Sequence, residues 1–341
     1  MERSNRRTFI ARGLGVAAAV GAATGILGLA SRPARAAGEP VVLKLAHPDT
    51  PIHPSQTIAT RIAQLVEQRT GGSVKIRVFA GGQLGSEVNI VSGLTTGIVD
   101  LAMHTTGFLE SFFPRIQAID LPFLFKDSAS AERLLDGPIG QDLLKDMEVK
   151  GIYGLTWGHY GWRVTETNTH PVKAPQDLTG LKVRIQPGAV FAAMFKAVGA
   201  VPIVIDLAEL YIALSQGTVN GYELPFMAVV STKLIEVTKY VGLTNHVYNG
   251  GAFMASKLRF DTLTPKEREV IRETVKETQP FWRKLVAEKS LENRALCEQR
   301  GLSISEIDYP AFRKAMEPVY VEFRTKIGVE FVDRVIKEAA A

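Results

Sequence analysis

Cysteine, apolar segments of membrane-spanning length and common catalytic motifs are scarce in this chain of 341 residues. Cys297 is the only cysteine, so no internal disulfide can form, although an oxidising compartment would permit one. No apolar stretch after residue 36 is long enough to cross a membrane. Gly-x-Ser-x-Gly, His-Glu-x-x-His and Cys-x-x-Cys are also absent. These absences exclude a disulfide-stabilised scaffold and give no support to hydrolase, zinc-protease or thiol-redox chemistry.

Positive and negative side chains are equal in number once the N-terminal segment is set aside. The chain holds 40 Lys and Arg against 35 Asp and Glu, and residues 1–36 account for six arginines and one glutamate, which leaves 34 of each sign. No basic run or alternation of aromatic and basic residues follows. The sequence therefore gives no reason to expect a nucleic-acid partner. The 305 residues after position 36 suffice for two domains with their own cores.

The first 36 residues have the features of an export signal. Four arginines in the first 12 residues precede an apolar run from 13 to 30, and Ala34-Arg35-Ala36 is a small-x-small cleavage site. Residues 5–10, NRRTFI, are similar to the twin-arginine consensus. We therefore expect a protein that is exported to the periplasm by a twin-arginine signal and is soluble after cleavage.

Strands alternate with helices along the rest of the chain, which predicts an α/β fold with a mostly parallel sheet and helices on both faces. A loop is expected at 246–251, between the last two strands. The predicted strands are Val41–Ala46, Ser73–Phe79, Val99–Met103, Gly151–His159, Lys182–Gln186, Pro202–Ile205, Gly221–Pro225, Lys239–Asn245 and Ala252–Ser256.

The C-terminal region is predicted to be helical. Thr264-Pro265-Lys266-Glu267 is a capping box with proline at the first helical position. It opens a helix of roughly 35 residues, about 50 Å long, which Pro280 is expected to kink. Two shorter helices near 311–327 and 330–339 are expected to follow.

Arg184 is the most informative single residue, because it lies between Val183 and Ile185 in a strand otherwise built for burial. That strand passes through Pro187-Gly188 into a helix over Ala189–Val198, which places Arg184 near the carboxyl edge of the sheet. A buried guanidinium needs an anionic partner. The partner is either an internal Asp or Glu or a bound carboxylate, whose two oxygens match the planar fork of arginine.

Arg163 is a second arginine in an apolar setting, 21 positions before Arg184. Two such arginines at strand ends could converge on one anion. His47 and His53 lie in a proline-rich loop, but their spacing fits no recurrent zinc site, so we expect loop histidines near the mouth of a cleft and no metal.

With these motifs in place, the chain resembles the solute-binding proteins of TRAP (tripartite ATP-independent periplasmic) transporters, the DctP type. The resemblance covers essentially everything after the signal. The matching segments are Gly82–Gly85 with Gly97–Asp100, Gly161–Arg163 with Asn168, Gly180–Arg184, Val219–Pro225 and Thr244–His246.

The fold that this resemblance implies is a two-domain periplasmic binding protein, type II-like, with a long C-terminal helix that crosses between domains. Residues 1–36 would be the cleavable signal, 37–160 plus about 249–288 domain I, and 161–248 plus about 289–341 domain II. The chain would pass between domains, and hinge, near His159–Trp162 and Tyr248–Gly251.

The function implied is capture of an organic anion and its delivery to the small and large membrane permease subunits of a TRAP transporter, with no enzyme activity and no cofactor. In the family, the arginine that matches Arg184 pairs with the ligand carboxylate, and the one that matches Arg163 commonly adds a second contact. The further ligand-binding residues expected by carry-over are Leu207, Leu224, Thr105, Tyr222, Phe226 and Asn249.

Two positions depart from the family pattern. Leu224 stands where many members have Asn, and Leu207 stands where many have Phe or Trp. Both changes make the expected pocket more aliphatic and favour a simpler or more apolar carboxylate over a sugar acid. Two alternative functions remain at this point: an enzyme exported by the twin-arginine route, and a ligand sensor that acts on a receptor kinase.

Overall fold

Nine strands form one sheet in the part of the chain that the structure, a computed structural model, describes, which is residues 39–341. Residues 40–341 are one compact unit. The strands are β1 (Val41–Ala46), β2 (Val74–Phe79), β3 (Leu101–Thr105), β4 (Ile152–Thr167), β5 (Lys182–Ile185), β6 (Val201–Val204), β7 (Gly221–Leu224), β8 (Tyr240–Ser256) and β9 (Ser303–Ser305).

The sheet is parallel towards both ends and antiparallel in the middle. The strand order is β2-β1-β3-β8-β4-β7-β5-β6, and β9 pairs with β8. Strands β1, β2 and β3 pair in parallel, as do β5, β6 and β7. The two long strands β4 and β8 pair antiparallel to each other, β3 runs antiparallel to β8, and β7 runs antiparallel to β4. The α/β class expected from the sequence is therefore confirmed, with an antiparallel centre that the alternation pattern did not predict.

The loop predicted at 246–251 is wrong, because β8 is a single strand of 17 residues that runs through this segment. Its backbone there pairs with β4, where Gly251 lies opposite Gly158 and Tyr248 lies opposite Trp162. Local sequence favours a turn at the glycines, but pairing with β4 continues on both sides of them. The register of this pairing shifts at three places, and one of them lies between His159 and Trp162. Both predicted hinge segments lie side by side at this shift, and their role as hinges stays a prediction.

Helices cover both faces of the sheet. Ser86 and Thr264 cap their helices, Thr264 as predicted, and each side chain accepts a hydrogen bond from the backbone nitrogen three residues on. The helices are α1 (Pro54–Arg69), α2 (Glu87–Thr96), α3 (Thr106–Leu109), α4 (Ser128–Asp136), α5 (Pro138–Asp146), α6 (Ala189–Ala197), α7 (Leu210–Ser215), α8 (Phe226–Ser231), α9 (Lys257–Phe260), α10 (Pro265–Gln299), α11 (Tyr309–Ala315), α12 (Glu317–Ile327) and α13 (Val329–Ala340).

The long helix α10 confirms the strongest prediction for the C-terminal region. It has 35 residues, and Pro280 lies inside it without ending it. The buried ring of Trp282 packs on β4, and its Nε1 donates to the carbonyl of His159 at 2.8 Å. Among residues 39–341, no helix combines the length and the hydropathy that a membrane span requires.

Candidate functional site

Arg184 lies near the end of β5 and is 1% exposed. Its Nε donates to the carbonyl of Ile205 at 2.7 Å, which fixes the direction of the guanidinium. Its Nη2 lies 3.6 Å from Oε2 of Glu87 and has no hydrogen-bond partner in the described part of the chain. Burial lowers the pKa of Arg184, although Glu87 and Glu223 oppose this. The guanidinium is therefore oriented by the backbone but only loosely paired with a counter-charge.

Glu87, the first residue of α2, is the only acidic side chain within ion-pair distance of Arg184 among the described residues. Its Oε2 also accepts a hydrogen bond from the backbone nitrogen of Leu207 at 3.2 Å. Burial raises the pKa of Glu87 to about 7, and the nearby Arg184 limits that rise. Near neutral pH Glu87 is therefore only partly ionised, so it is an incomplete counter-ion for Arg184.

Arg163 on β4, in contrast, is fully paired with Glu223 on β7. The side chains are 2% and 0% exposed, and the guanidinium contacts both carboxylate oxygens, with 2.7 Å between Nη2 and Oε1. Nη2 also donates to the backbone carbonyl of Glu223. Burial opposes ionisation of Glu223, but the charge and hydrogen bonds of Arg163 together with those of His246 outweigh it and hold the pKa of Glu223 below its ordinary value. The partner of Arg163 is thus an internal carboxylate, that of Glu223, in a buried salt bridge.

A cavity of about 30 Å³ brings most of the predicted ligand-binding residues together. It is lined by Arg184 and Arg163 and also by Leu207, Leu224, Thr105 and Asn249. Tyr222 and Phe226 do not line it and belong to an apolar cluster that also contains Leu224. The hydroxyl of Tyr222 is hydrogen-bonded to the hydroxyl of Thr238, so its polar atom already has a partner within the protein.

Residues that the sequence did not single out complete the cavity wall. They are Pro48, Asp49, Glu87, Phe108, Tyr160, Gln186, Pro225 and Ala228, and they are joined by His53, which the sequence analysis expected near the mouth of a cleft. Most of them lie in loops or at helix starts. In such places a polar residue is as often on the solvent-exposed surface as in a binding site, so the sequence gives no signal. Gln186 offered one signal, because it directly follows the strand that carries Arg184.

The loop after β1 supplies a buried acidic group to this wall. Asp49 accepts a hydrogen bond from the hydroxyl of Ser55 at 2.7 Å, and its Oδ2 lies 3.6 Å from Nδ1 of His53. Burial alone would raise the pKa of Asp49, but His53, His47 and Ser55 hold it below its ordinary value. Burial lowers the pKa of His53. His53 therefore lines the cavity as a neutral ring and Asp49 as a carboxylate.

The other histidine of this loop, His47, has a side-chain partner. His47 bonds the side chain of Gln56 at 3.0 Å, and no group of three metal-type side chains occurs within residues 39–341.

Four buried polar atoms without a partner in the described chain belong to residues that line this cavity. They are Nη2 of Arg184, Nε2 of Gln186, Oδ1 of Asn249 and the hydroxyl oxygen of Tyr160. Gln186 is held in place, since its Oε1 accepts from the hydroxyl of Thr105 at 3.2 Å and its amide lies where a side chain on Gly107 would be. Buried polar atoms in proteins are nearly always hydrogen-bonded. Unpaired donors and an acceptor in one cavity therefore mark a place for a polar ligand.

The fold and this cavity define a class: extracytoplasmic solute-binding proteins, which bind small molecules and are not enzymes. A family model described as "Bacterial extracellular solute-binding protein, family 7" matches residues 45–326. The chain belongs to this family, the DctP family. The predicted signal peptide, residues 1–36, lies outside the described residues.

Curated relatives agree with this assignment. The 2,3-diketo-L-gulonate-binding periplasmic protein YiaO of Escherichia coli (strain K12) is 34% identical over 268 residues, which are 77% of this chain and 82% of the relative. The uncharacterized protein y4mM of Sinorhizobium fredii (strain NBRC 101917 / NGR234) is 34% identical over 95% of this chain, which spans only 58% of that relative's length.

Solved structures share the whole fold. The sugar acid binding protein DctPAm from Advenella mimigardefordensis strain DPN7T, in complex with galactonate, has a TM-score of 0.86 at 29% identity, over 89% of this chain and 98% of that one. A TRAP periplasmic solute binding protein from Sulfurospirillum deleyianum DSM 6946 with bound succinate has a TM-score of 0.83 at 30% identity, over 86% of this chain and 98% of the other.

Proposed function

We propose that this protein captures an organic acid in the periplasm by an arginine–carboxylate clamp centred on Arg184 and delivers it to the small and large permease subunits of a TRAP-type transporter. A twin-arginine signal at residues 1–36 would export it. The observation that carries the proposal is the incomplete pairing of Arg184, which is buried and keeps Nη2 free of hydrogen bonds within the described chain. The ligands named for the relatives, 2,3-diketo-L-gulonate, galactonate and succinate, all carry a carboxylate.

The clamp would work because Arg184 is oriented before the ligand arrives. Its Nε is committed to the carbonyl of Ile205, so the guanidinium does not have to be ordered on binding. A ligand carboxylate at Nη2 would form charge-assisted hydrogen bonds and displace Glu87 as the counter-ion. Since Glu87 is poised between its charged and neutral forms, this displacement costs less than breaking a fully ionised pair.

Arg163 would support the site rather than form the primary contact. Its fork is occupied by Glu223, so its positive charge is neutralised inside the protein. It lines the cavity together with Arg184, and we propose that it contributes at most one further hydrogen bond to the ligand.

Binding would require the two predicted domains to separate and close again. The cavity of about 30 Å³ has room for two or three water-sized groups, at roughly 10–15 Å³ each, which is less than an organic acid needs. Hydrogen bonds join the two predicted domains around it, from Leu207 to Glu87 and from Val190 to Glu110, both at 3.2 Å. We propose that these contacts break when the cleft opens and that the ligand stabilises the closed form.

A thermal-shift screen of the mature protein tests this function. The library would contain monocarboxylates, dicarboxylates, keto acids, sugar acids and aromatic acids. A ligand at 100 times its Kd should stabilise the fold by about 2.7 kcal/mol, a shift of about 2 to 4 °C or somewhat less at this size. We expect a hit that disappears in Arg184→Ala and persists in Arg324→Ala, an arginine paired with Asp333 on the surface. No shift with any acid, from folded protein stripped of ligand, would contradict the proposal.

Delivery is tested separately from binding. The permease pair would be reconstituted in liposomes, with the acid found in the screen outside. We expect uptake that requires the mature binding protein and an ion gradient. Uptake that is equally fast without the binding protein would contradict delivery while leaving the binding result intact.

A further inference from the structure

The cavity that holds Arg184 also has an acidic side. Asp49 and Glu87 both line it and are each 8% exposed. They come from different parts of the predicted first domain, the loop after β1 and the start of α2. Glu87 lies against Arg184, and Asp49 lies against Ser55 and His53. A ligand clamped by Arg184 therefore has carboxylate oxygens beside it.

The cations of this cavity are already committed. Arg163 is neutralised by Glu223 in a two-point salt bridge, and Arg184 is the cation that the ligand carboxylate would occupy. His53, whose pKa is lowered by burial, faces Asp49 without a full positive charge. Among the residues that line the cavity, no cation remains for a second carboxylate. A dicarboxylate bound at Arg184 would place its other charge in a buried space shared with Asp49 and Glu87, and such like-charge contacts cost several kcal/mol.

The hydrogen-bond acceptors of the wall select for the opposite chemistry. Asp49 and Glu87 present carboxylate oxygens, and Oδ1 of Asn249 is buried without a partner in the described chain. These groups accept hydrogen bonds, so the part of the ligand that reaches them must donate. The unpaired Nε2 of Gln186 and the hydroxyl of Tyr160 can donate to an oxygen of the same ligand, and a hydroxyl group both donates and accepts. A hydroxyl group donates a hydrogen bond without bringing a charge into the cavity. An ammonium group donates hydrogen bonds and is also attracted by the negative carboxylates.

We propose, building on the carboxylate clamp above, that the site takes a monocarboxylate whose remaining part carries hydrogen-bond donors, and that Asp49 and Glu87 are the specificity-determining residues that reject dicarboxylates. The donors are hydroxyl or ammonium groups, and hydroxyl groups are the simpler match because both carboxylates and Asn249 can accept from them. This proposal revises the expectation from Leu207 and Leu224. The two leucines make one part of the wall aliphatic, but the part formed by Asp49 and Glu87 is polar and acidic.

The decisive experiment compares pairs of acids that differ only at the distal carbon. L-Threonate and L-tartrate differ in a terminal CH₂OH or carboxylate, as do gluconate and glucarate, and 4-hydroxybutyrate and succinate. Calorimetric titration gives the ratio of Kd values within each pair. We expect the wild-type protein to prefer the monocarboxylate at least about tenfold in any pair that it binds, which corresponds to about 1.4 kcal/mol. Glycerate and serine, which exchange a hydroxyl for an ammonium group, identify the donor.

Variants of the acidic wall link this preference to its residues. Glu87→Gln keeps an acceptor for the backbone of Leu207 and removes the charge, and Asp49→Asn does the same beside Ser55. We expect each variant to reduce the ratio of the dicarboxylate Kd to the monocarboxylate Kd severalfold, chiefly because the dicarboxylate binds more tightly. Glu132→Gln is the matched control, since Glu132 is half-buried and 3.7 Å from Arg283, outside this cavity. It should leave the ratio unchanged.

The outcomes separate this proposal from the proposed function. Dicarboxylate binding that is equal or tighter in the wild-type protein, or a ratio that Glu87→Gln and Asp49→Asn both leave unchanged, would overturn the specificity assignment while the clamp stands. Absence of binding by every acid would overturn both.

Discussion

The guanidinium of Arg184 and the carboxylate of Glu87 approach to 3.6 Å between Nη2 and Oε2, in a buried space but beyond hydrogen-bond distance. Elsewhere in the same sheet, Arg163 and Glu223 form a two-point salt bridge with 2.7 Å between Nη2 and Oε1. The chain thus contains two buried arginine–glutamate pairs of different completeness. The complete pair joins two strands, and the incomplete pair leaves the arginine available to a third group. This difference is the structural basis for assigning the primary clamp to Arg184.

Removing one member of the Arg163–Glu223 pair should destabilise the protein much more than replacing both members together. Arg163→Ala leaves the Glu223 carboxylate buried without its cation, and breaking such a pair typically costs about 3–5 kcal/mol. Urea denaturation of the variant without ligand should show this loss. The double variant Arg163→Met with Glu223→Leu should recover much of it, because no buried charge is then unpaired. An Arg163→Ala protein as stable as the wild type would show that the pair is not formed in solution.

Glu87 should make stability depend on pH. Its pKa in the folded protein is about 7, above its ordinary value of 4.5, so folding favours the protonated form. This contribution is complete below about pH 4.5 and is lost as the pH rises through about 7. The wild-type protein without ligand should therefore lose up to about 3 kcal/mol relative to Glu87→Gln over this interval.

Denaturation of both proteins from pH 4.5 to 8 measures this difference. The same comparison with Glu288→Gln, an exposed carboxylate on α10, should give a nearly constant difference. A constant difference for Glu87→Gln as well would contradict the raised pKa of Glu87.

Gly158 should be required where α10 packs on β4. A Cβ atom there would lie 2.4 Å from the ring of Trp282, which is buried and hydrogen-bonded to the carbonyl of His159. The ring cannot move without losing this bond, so we expect Gly158→Ala to cost about 1–3 kcal/mol, as overpacking of a core does. Thermal unfolding measures it, and an unchanged Tm would mean that α10 can shift on the sheet.

Local signals predicted most of the secondary structure. Ser86 and Thr264 begin their helices because each is followed by residues that complete a cap and an apolar face. The segment 246–251 was missed because its glycines favour a turn locally, while the pairing that makes it a strand comes from β4, about 90 residues earlier in the chain. Strand pairing over that distance leaves no local pattern.

The site was predictable only in part. Arg184 stood out because a cation within an apolar strand needs an explanation, and Arg163 stood out for the same reason. The partner of each could not be read from the sequence, because Glu223 and Glu87 reach them through strand pairing and helix placement. Asp49 was missed since an acidic residue in a loop is usually on the surface. Tyr222 and Phe226 were carried over by resemblance, and they are not among the residues that line the cavity, so their contact with a ligand stays a prediction.

Calorimetric titration of Arg184→Lys with the acid found in the screen tests the central claim most directly. Lysine keeps the positive charge but cannot reproduce the fork of the guanidinium or its hydrogen bond to Ile205. We predict an affinity at least about 30-fold weaker than that of the wild type, equivalent to 2 kcal/mol or more, and an unchanged affinity for Arg324→Lys on the surface. Near wild-type affinity in a folded Arg184→Lys protein would contradict the clamp.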